Sequence, residues 1–248
     1  MLDNVLRNME SITLEEMTEV KLMNRIDTKY LTTLSVLEQL LSIAREDFYI
    51  QESDGIRNSS YYTCYYDTPD LQMYRDHERG KKTRKKIRIR EYVETGTLPF
   101  LEIKDKNNKG RTKKRRIPMD SGRDLELYKS FLSDHTEFNV KELNPKIENR
   151  FRRITLVNKE KTERITIDTS IEFHNFVSGR DLMVPQLTII EWKRDGLSNK
   201  SRLKPLLRAL RIKESGFSKY VIGMALTDPS LPQHRIKKRL HLIGKLIK

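Results

Sequence analysis

The stretch Ile87-Arg88-Ile89-Arg90 alternates aliphatic and basic residues, and this alternation decides which fold the sequence predicts. Successive side chains of a β-strand point to opposite faces, so a strand here carries two arginines on one face and two isoleucines on the other. Two further stretches, Leu101-Glu102-Ile103-Lys104 and Ile190-Glu191-Trp192-Lys193, share the order apolar, Glu, apolar, Lys. Each of the three stretches therefore predicts a strand with one charged face and one apolar face.

Three other segments separate charged from apolar residues in the same way. Their charged faces carry the following residues: Arg25, Asp27 and Lys29; Arg150 and Arg152; Arg164, Thr166 and Asp168. An ordinary antiparallel sheet with one solvated face explains any single one of these strands. The six together repeatedly place Arg or Lys on one face, and like charges that face each other across strands are destabilising unless an anion neutralises them. The six strands therefore predict a cavity that concentrates positive charge and binds phosphates.

Outside these segments, the chain also favours strands over helices. Alternation predicts about nine strands, at residues 22–31, 61–66, 86–92, 98–104, 113–117, 151–157, 163–168, 171–177 and 187–193. Helical spacing predicts short helices in about the first 20 residues and at 35–44, 71–79, 122–132, 201–210 and 220–226. Many strands with a few short helices predict an α+β fold, with a large antiparallel sheet or barrel as one domain over residues 1–228.

The net charge restricts the class of partner. The chain has 49 Lys and Arg against 35 Asp and Glu, a formal charge of +14, which favours a polyanion: nucleic acid, anionic lipid, nucleotide or inorganic polyphosphate. The single cysteine, Cys64, cannot form an intramolecular disulfide, and no Cys and His residues have zinc-site spacing. No apolar run approaches the roughly 20 residues that span a bilayer, and no signal-peptide pattern opens the chain. We therefore expect a soluble, cytoplasmic protein.

The last residues, 229–248, form a basic tail with helical periodicity. Its apolar positions are Ile236, Leu240, Ile243, Leu246 and Ile247, and Lys and Arg stand between them. This pattern predicts a basic amphipathic helix. Such a helix could lie on an anionic membrane, dock on a membrane-protein partner or pack against the domain.

Three acids lie on the same predicted faces as the bases: Glu102, Asp168 and Glu191. Phosphates that bind among the bases would ordinarily bring Mg²⁺ or Mn²⁺, held by one or two carboxylates. Ion pairing with a neighbouring Lys or Arg is the alternative role for each acid. The sequence leaves both roles open.

The same residues carry a resemblance to the VTC domain of polyphosphate polymerases. Eight motifs between about residue 20 and residue 226 resemble that family in order: Arg25-Ile26-Asp27-Thr28-Lys29-Tyr30, Tyr66-Asp67-Thr68-Pro69, Arg88-Ile89-Arg90, Glu102-Ile103-Lys104, Asn149-Arg150, Ile167-Asp168-Thr169, Ile190-Glu191-Trp192-Lys193 and Ser218-Lys219-Tyr220. The resemblance implies the triphosphate-tunnel fold, an antiparallel β-barrel with short flanking helices, shared with CYTH-type adenylyl cyclases and triphosphatases. The tunnel of that fold is lined by Lys, Arg and Glu.

The resemblance also implies an activity: members of the VTC branch transfer the γ-phosphate of ATP to a growing polyphosphate chain. By motif position it implies these catalytic phosphate ligands: Lys29, Arg88, Arg90, Lys104, Arg150, Lys193 and Lys219. Glu191 would be the metal ligand, with Glu102 and Asp168 as further candidates for Mn²⁺ or Mg²⁺. Additional contacts to the substrate are expected from Arg25, Arg79, Arg152 and Arg164.

Two other functions use the same residues. A metal-dependent triphosphatase would differ only in using water as the acceptor, and a non-catalytic module would bind polyphosphate or nucleic acid. The CYTH signature has two alternating glutamates where this chain has Arg25 and Asp27, which favours the VTC branch over a cyclase. The bases interleave with aliphatic residues and not with aromatic stacking platforms, so we do not expect nucleic acid. The expected partners are ATP and inorganic polyphosphate.

Overall fold

Eleven strands form one sheet in the computed structural model, which describes residues 2–17, 25–109, 111–120, 122–195 and 201–247. The strands are β1 (Ser11–Ile12), β2 (Arg25–Thr33), β3 (Phe48–Gln51), β4 (Ser59–Asp67), β5 (Arg84–Tyr92), β6 (Phe100–Lys106), β7 (Thr112–Pro118), β8 (Asn144–Asn158), β9 (Glu163–Asn175), β10 (Asp181–Val184) and β11 (Leu187–Asp195). The helices are α1 (Leu2–Arg7), α2 (Leu14–Met17), α3 (Leu34–Ala44), α4 (Gln72–Glu78), α5 (Lys129–Ser133), α6 (Leu203–Ala209), α7 (Lys219–Thr227) and α8 (Lys237–Leu246).

The main path of the sheet is antiparallel and runs β2-β11-β9-β8-β4-β5-β6-β7. Two short strands, β3 and β10, add to β8 and β9, and β1 pairs with β3. Within the described residues β2 and β7 end the path and do not pair with each other. The predicted α+β fold with a large antiparallel sheet is confirmed, as an open barrel-like sheet.

The sheet curls so that distant strands face each other. The pKa of Lys104 in β6 is lowered first by Arg88 and by burial, but Glu191 of β11 and Lys29 of β2 also act on it. A flat sheet with strands about 4.8 Å apart would separate β2 from β6 by roughly 29 Å. Charges act on one another strongly only over much shorter distances. The charged face of the sheet is therefore its concave, inner face, and we call the space it encloses the tunnel.

The apolar faces of the strands are covered by helices and loops, as the alternation predicts. On β8, β9 and β11 the outer face packs against α1, α3 and α6, in a cluster that includes Leu37, Leu41, Ile154, Ile167, Ile190 and Trp192. On β4, β5 and β6 the outer face packs against the segment around α5, through Cys64, Ile87, Ile89, Leu101, Ile103 and Leu132. Burial of these faces leaves the charged side chains inside the curl.

Helix α7 packs on the inner face at one end of the tunnel. The Tyr220 hydroxyl of this helix donates to Asp67 at the end of β4, and its ring stacks on Tyr65 with ring centroids 5.2 Å apart. Asp67 is fully buried and also accepts from the backbone N–H groups of Met73 and Tyr74, at 3.0 and 2.9 Å. Asp67 thus joins α4 and α7 to the sheet, which gives the Tyr-Asp-Thr-Pro motif a structural role.

Some predicted elements differ from the observed ones. Residues 122–132 were predicted as one helix, but they contain only a 3₁₀ turn at Glu126–Tyr128 and the start of α5. The strands predicted at 163–168 and 171–177 are one strand, β9, with a bulge at Ser170, whose φ is 49°. Short strands β3 and β10 were not predicted, and residues 22–24 of the first predicted strand lie outside the described residues.

The C-terminal tail forms the predicted amphipathic helix, α8. Ile243 of this helix and Ile236 just before it are buried in the same core cluster as α7, so its apolar face packs on the domain. Among the described helices, none has both the length and the apolarity needed to cross a membrane.

Candidate active site

Strand register places bases and acids from seven strands side by side along the tunnel. In β5 and β6, Arg88 lies opposite Glu102 and Lys86 lies opposite Lys104. On the facing side of the curl, β2 places Lys29 opposite Glu191 of β11. The inner face of the sheet also carries Arg90, Lys114, Arg153, Asp168 and Lys193. Lys219 joins them from α7.

Glu102 is fully buried between two bases. Its Oε2 accepts from Nε and Nη2 of Arg88 at 2.8 and 2.5 Å, and its Oε1 accepts from Nζ of Lys114 at 3.1 Å. Burial acts to raise the pKa of the Glu102 carboxyl, but Arg88, Arg90 and Lys114 together hold that pKa well below its ordinary value. Glu102 is therefore an ionised group that fixes the guanidinium of Arg88.

Glu191 pairs with two lysines on the opposite side of the tunnel. Its Oε1 accepts from Nζ of Lys29 and its Oε2 accepts from Nζ of Lys193, both at 2.7 Å. Nζ of Lys193 also donates to Oγ1 of Thr166 at 3.1 Å. Burial lowers the pKa of Lys193 to about 8 against the opposing effect of Glu191. The Lys193 amine is therefore close to the point at which it loses its charge near neutral pH.

Asp168 is a third inner acid that pairs with two bases. Arg153 donates to both of its oxygens, with Nε–Oδ1 and Nη2–Oδ2 distances of 2.6 and 2.8 Å, and Nζ of Lys219 also donates to Oδ2. Lys219 is the first residue of α7, where the Ser218 hydroxyl caps the helix by accepting from the backbone N–H of Val221. Burial lowers the pKa of Lys219 to about 7, although Asp168 raises it.

Three inner bases have no such partner. Lys86, Arg90 and Lys104 form no ion pair with a residue in the described part of the chain. Burial lowers the pKa of Lys86 to about 7 and that of Arg90 to about 10, and Arg88 is the main cause of the lowered pKa of Lys104. A bound anion would relieve the repulsion among these bases, so this part of the tunnel is built to receive negative charge.

The predicted metal ligands do not form a metal cage. Among the described residues no three His, Cys, Asp or Glu side chains lie together, and Glu102, Asp168 and Glu191 each contact two bases. Mg²⁺ is nevertheless commonly held by one or two carboxylates together with substrate phosphates and waters. Glu191 suits that role best because its partners are lysines with flexible stems and its side chain is 21% exposed. The residues fit a divalent ion that arrives with phosphates.

The structure brings most of the predicted site residues together, but Arg79, Arg150, Arg152 and Arg164 lie apart from them. Arg164 lies on the inner face near the far end of the tunnel, where Nη2 donates to the carbonyl oxygen of Met17 at 3.3 Å. Arg25 begins β2, but its side chain lies outside the described part of the structure. Arg79 is exposed immediately after α4 and not on the inner face.

Arg150 and Arg152 are corrections to the predicted site. Both are exposed on the outer face of β8, because the inner positions of this strand are odd-numbered: Arg153 pairs with Asp168, and Phe151 stacks on Tyr61. Phe151 is buried, but it does not lie on the outer, apolar face of the strand. It lies instead on the inner face, where Nζ of Lys219 is 3.9 Å from its ring centroid.

Arg153, Lys86 and Lys114 are inner-face bases that the sequence analysis missed. Counting back from the buried Ile154 and Leu156 would have found Arg153, because it alternates with them. Extending the alternation of β5 by one step would likewise have found Lys86. Lys114 lies within a run of basic residues in β7, where alternation gives no signal.

A curled antiparallel sheet with an ion-paired basic interior defines the triphosphate-tunnel class of proteins. Within that class, the chain belongs to the VTC domain family, whose sequence model matches residues 24–227. Family membership and the tunnel fold support a function in handling phosphoryl groups. Among curated proteins, none matches this sequence.

Two solved structures are similar to this chain at low sequence identity. A candidate adenylate cyclase of Bacillus halodurans is 15% identical, with a TM-score of 0.50 over 79% of this chain and 96% of that one. The PH1819 protein of Pyrococcus horikoshii is also 15% identical, with a TM-score of 0.45 over 81% of this chain and 98% of that one. At this level of identity the likeness of the first structure concerns the fold alone.

Proposed function

We propose that the protein is a polyphosphate polymerase, which transfers the γ-phosphate of ATP to the end of an inorganic polyphosphate chain in the tunnel. The observation that carries this proposal is the group of three inner bases without an ion-pair partner, Lys86, Arg90 and Lys104, beside bases that acids already hold in place. Such a surface binds a linear chain of phosphates more tightly than it binds an anion with a single charge. Membership in the VTC domain family supports the same assignment.

The reaction needs positioning and charge neutralisation more than a protein nucleophile. A terminal phosphate oxygen of the polyphosphate attacks Pγ of ATP, the bond from Pγ to the β,γ-bridging oxygen breaks, and ADP leaves with that oxygen. Lys29, Arg88, Arg90 and Lys104 hold the triphosphate of ATP. No protein base is required because the attacking oxygen is already ionised.

The acceptor chain is placed by the bases nearest α7. Arg153, Lys193 and Lys219 fit this role, and Arg153 takes the place that the sequence resemblance gave to Arg150. A divalent ion, Mn²⁺ or Mg²⁺, would be held by Glu191 and would neutralise charge on the phosphates.

The proposal is tested by incubating the purified protein with ATP, Mn²⁺ or Mg²⁺ and a short polyphosphate primer. Polymer and free phosphate are then measured in parallel. We expect polymer from the intact protein and a loss of at least about tenfold in Lys104→Gln, since a charge-assisted contact to phosphate is removed. Lys113→Gln is the matched control, because Lys113 is the exposed neighbour of an inner lysine on β7.

Other outcomes of this experiment would assign a different function to the tunnel. Free phosphate without polymer would show that water is the acceptor and that the protein is a triphosphatase. Tight tripolyphosphate binding with neither product would show a binding module. Stronger competition by DNA than by tripolyphosphate would indicate an exposed nucleic-acid surface and would contradict a tunnel site.

A further inference from the structure

A basic cavity lies beside the α4 end of the tunnel, outside the site described above. Its volume is about 500 Å³, which is within the range of pockets that hold small ligands. Bases of two segments line it: Arg84 opens β5, and Arg235, Lys238 and Arg239 lie just before α8 and in its first turn. Helix α8 lies beyond the residues that match the VTC domain family.

A single acid faces these four bases among the described residues that line the cavity. None of the four forms an ion pair within the described parts of the chain. The one acid in the lining, Glu78, is buried, and its Oε1 already accepts from the backbone N–H of Arg235 at 2.9 Å. Repulsion among four bases around one cavity is unfavourable unless an anion occupies it.

His77 adds a second observation that points to a ligand. Its Nδ1 is buried and has no hydrogen-bond partner in the described structure, although the ring lines the cavity. Burial, Lys86 and Arg84 lower the pKa of His77 to about 2, so the ring is neutral. One nitrogen of a neutral imidazole carries a proton, so the ring can donate a hydrogen bond to an oxygen of a bound phosphate or to water.

The cavity continues the row of bases in the tunnel. Arg90, Arg88, Lys86 and Arg84 occupy alternate positions of β5, so they share its inner face at a spacing of roughly 6.7 Å. Arg84 is the last of this row and the first base of the cavity, and it lies opposite Lys106 in the register. Because α7 packs on the inner face at this end, a chain in the tunnel would pass along β5 and not across α7.

We propose that the cavity is a second polyphosphate site, which holds the chain where it passes out of the tunnel. The identity of the anion rests on the proposed function, whereas the presence of an anion site rests on the cavity itself. One long chain that occupies both sites gains affinity over two separate short anions, because binding at the second site becomes intramolecular.

The test compares two ligands on a charge-removing variant of α8. Lys238→Gln/Arg239→Gln should weaken the binding of polyphosphate several tens of phosphates long by about tenfold or more. Binding of tripolyphosphate in the tunnel should change by less than about twofold in the same variant. Titration calorimetry at one fixed salt concentration measures both affinities, and a thermal melt confirms that the variant folds.

Lys204→Gln/Arg208→Gln is the matched control, because it also removes one Lys and one Arg from an amphipathic helix, α6, on the outer face of the sheet. An unchanged affinity for long polyphosphate in the α8 variant, or the same loss in both variants, would overturn the inference alone. An equal loss for tripolyphosphate would show an independent short-anion site and would overturn the continuous path. Failure of the intact protein to bind either ligand would overturn the proposed function together with the inference.

Discussion

At the scale of single residues, Glu102 is the acid on which the order of the tunnel most depends. It is fully buried, and its two oxygens hold Arg88 and Lys114. Glu102→Gln removes the negative charge and leaves buried Arg88 uncompensated. Breaking a buried pair from one side costs about 3–5 kcal/mol, so we expect the free energy of unfolding in urea to fall by about that much.

Asp105→Asn is the control for this prediction. Asp105 lies on the same strand but on the outer face, where its carboxylate is 3.5 Å from Nζ of Lys85 and its side chain is 34% exposed. Such a pair contributes at most about 1 kcal/mol. Equal destabilisation by the two substitutions would contradict the special role of Glu102. Tripolyphosphate should restore part of the stability of Glu102→Gln, because it supplies negative charge beside Arg88.

Arg153 and Arg150 provide a direct test of which face of β8 lines the tunnel. Arg153 is paired with Asp168 on the inner face, whereas the side chain of Arg150 is 64% exposed. We expect Arg153→Gln to weaken tripolyphosphate binding by about tenfold or more, since a charge-assisted contact is lost. Arg150→Gln should change it by less than about twofold. The reverse order would show that the residues named by the sequence resemblance bind the phosphate.

Most of the remaining site residues could be predicted because their strands alternate without interruption. Arg88, Glu102 and Glu191 each stand between apolar residues that are buried on the outer face. Phe151 is an exception to this alternation, because it is apolar but lies on the inner face. Helix α7 makes one end of that face apolar, so an aromatic residue can pack there. Local alternation does not show which face of a strand a distant helix will cover.

At the scale of elements, the position of α7 depends on Gly223. A Cβ at this position would lie 2.6 Å from the ring of Phe173 and 2.8 Å from Cδ1 of Ile147. Gly223→Ala would therefore push α7 off the sheet, at a cost of about 1–3 kcal/mol from overpacking. Because α7 carries Lys219, tripolyphosphate binding should weaken as well.

Gly244→Ala is the matched substitution in α8. Nothing lies within 4 Å of a Cβ there, so the helix preference of alanine should stabilise the protein by roughly 0.5–1 kcal/mol. Thermal and urea unfolding of the two variants measure both effects. Destabilisation by Gly244→Ala, or a neutral Gly223→Ala, would contradict the packing described for these helices.

The elements that could not be predicted correctly from the sequence differ from the prediction for local reasons. The long strand β9 was predicted as two strands that leave out Thr169 and Ser170. In the structure the strand continues through both residues, and the positive φ of Ser170 moves the inner face from even to odd positions. Strands β3 and β10 have four residues each, too few for a periodic signal. Residues 122–132 contain helix-forming residues, but a 3₁₀ turn separates the two leucines that are buried in the core, Leu125 and Leu132, and only the last turn continues as α5.

At the scale of the whole molecule, the charge of +14 and five of the six predicted charged faces correctly indicated a tunnel that concentrates bases, whereas the face of Arg150 and Arg152 is an outer one. They could not indicate the cavity beside α8, because its lining comes from α4, β5 and α8, which lie far apart in sequence. Positions along the chain predict faces of strands. Whether α4, β5 and α8 meet at one end of the tunnel depends on the curl of the sheet, which these positions do not show.

The crowding of bases should make polyphosphate binding depend on pH. Burial, Arg84, Lys29, Arg88 and Lys106 lower the pKa of Lys86 to about 7 in the free protein. A bound polyanion favours the charged amine and raises this pKa, so binding takes up a proton. The affinity should therefore be highest below about pH 7 and should fall by up to about tenfold per unit as the pH rises toward the pKa of the bound state.

Long polyphosphate is the suitable ligand for this measurement, because its internal phosphates do not titrate near neutral pH. Calorimetry in buffers of different ionisation enthalpy should show proton uptake at about pH 8. Lys86→Arg keeps its charge over this range, so the proton uptake and the fall in affinity should both become smaller. If the intact protein and Lys86→Arg show the same pH profile, Lys86 is not the group that links the charge of the tunnel to binding.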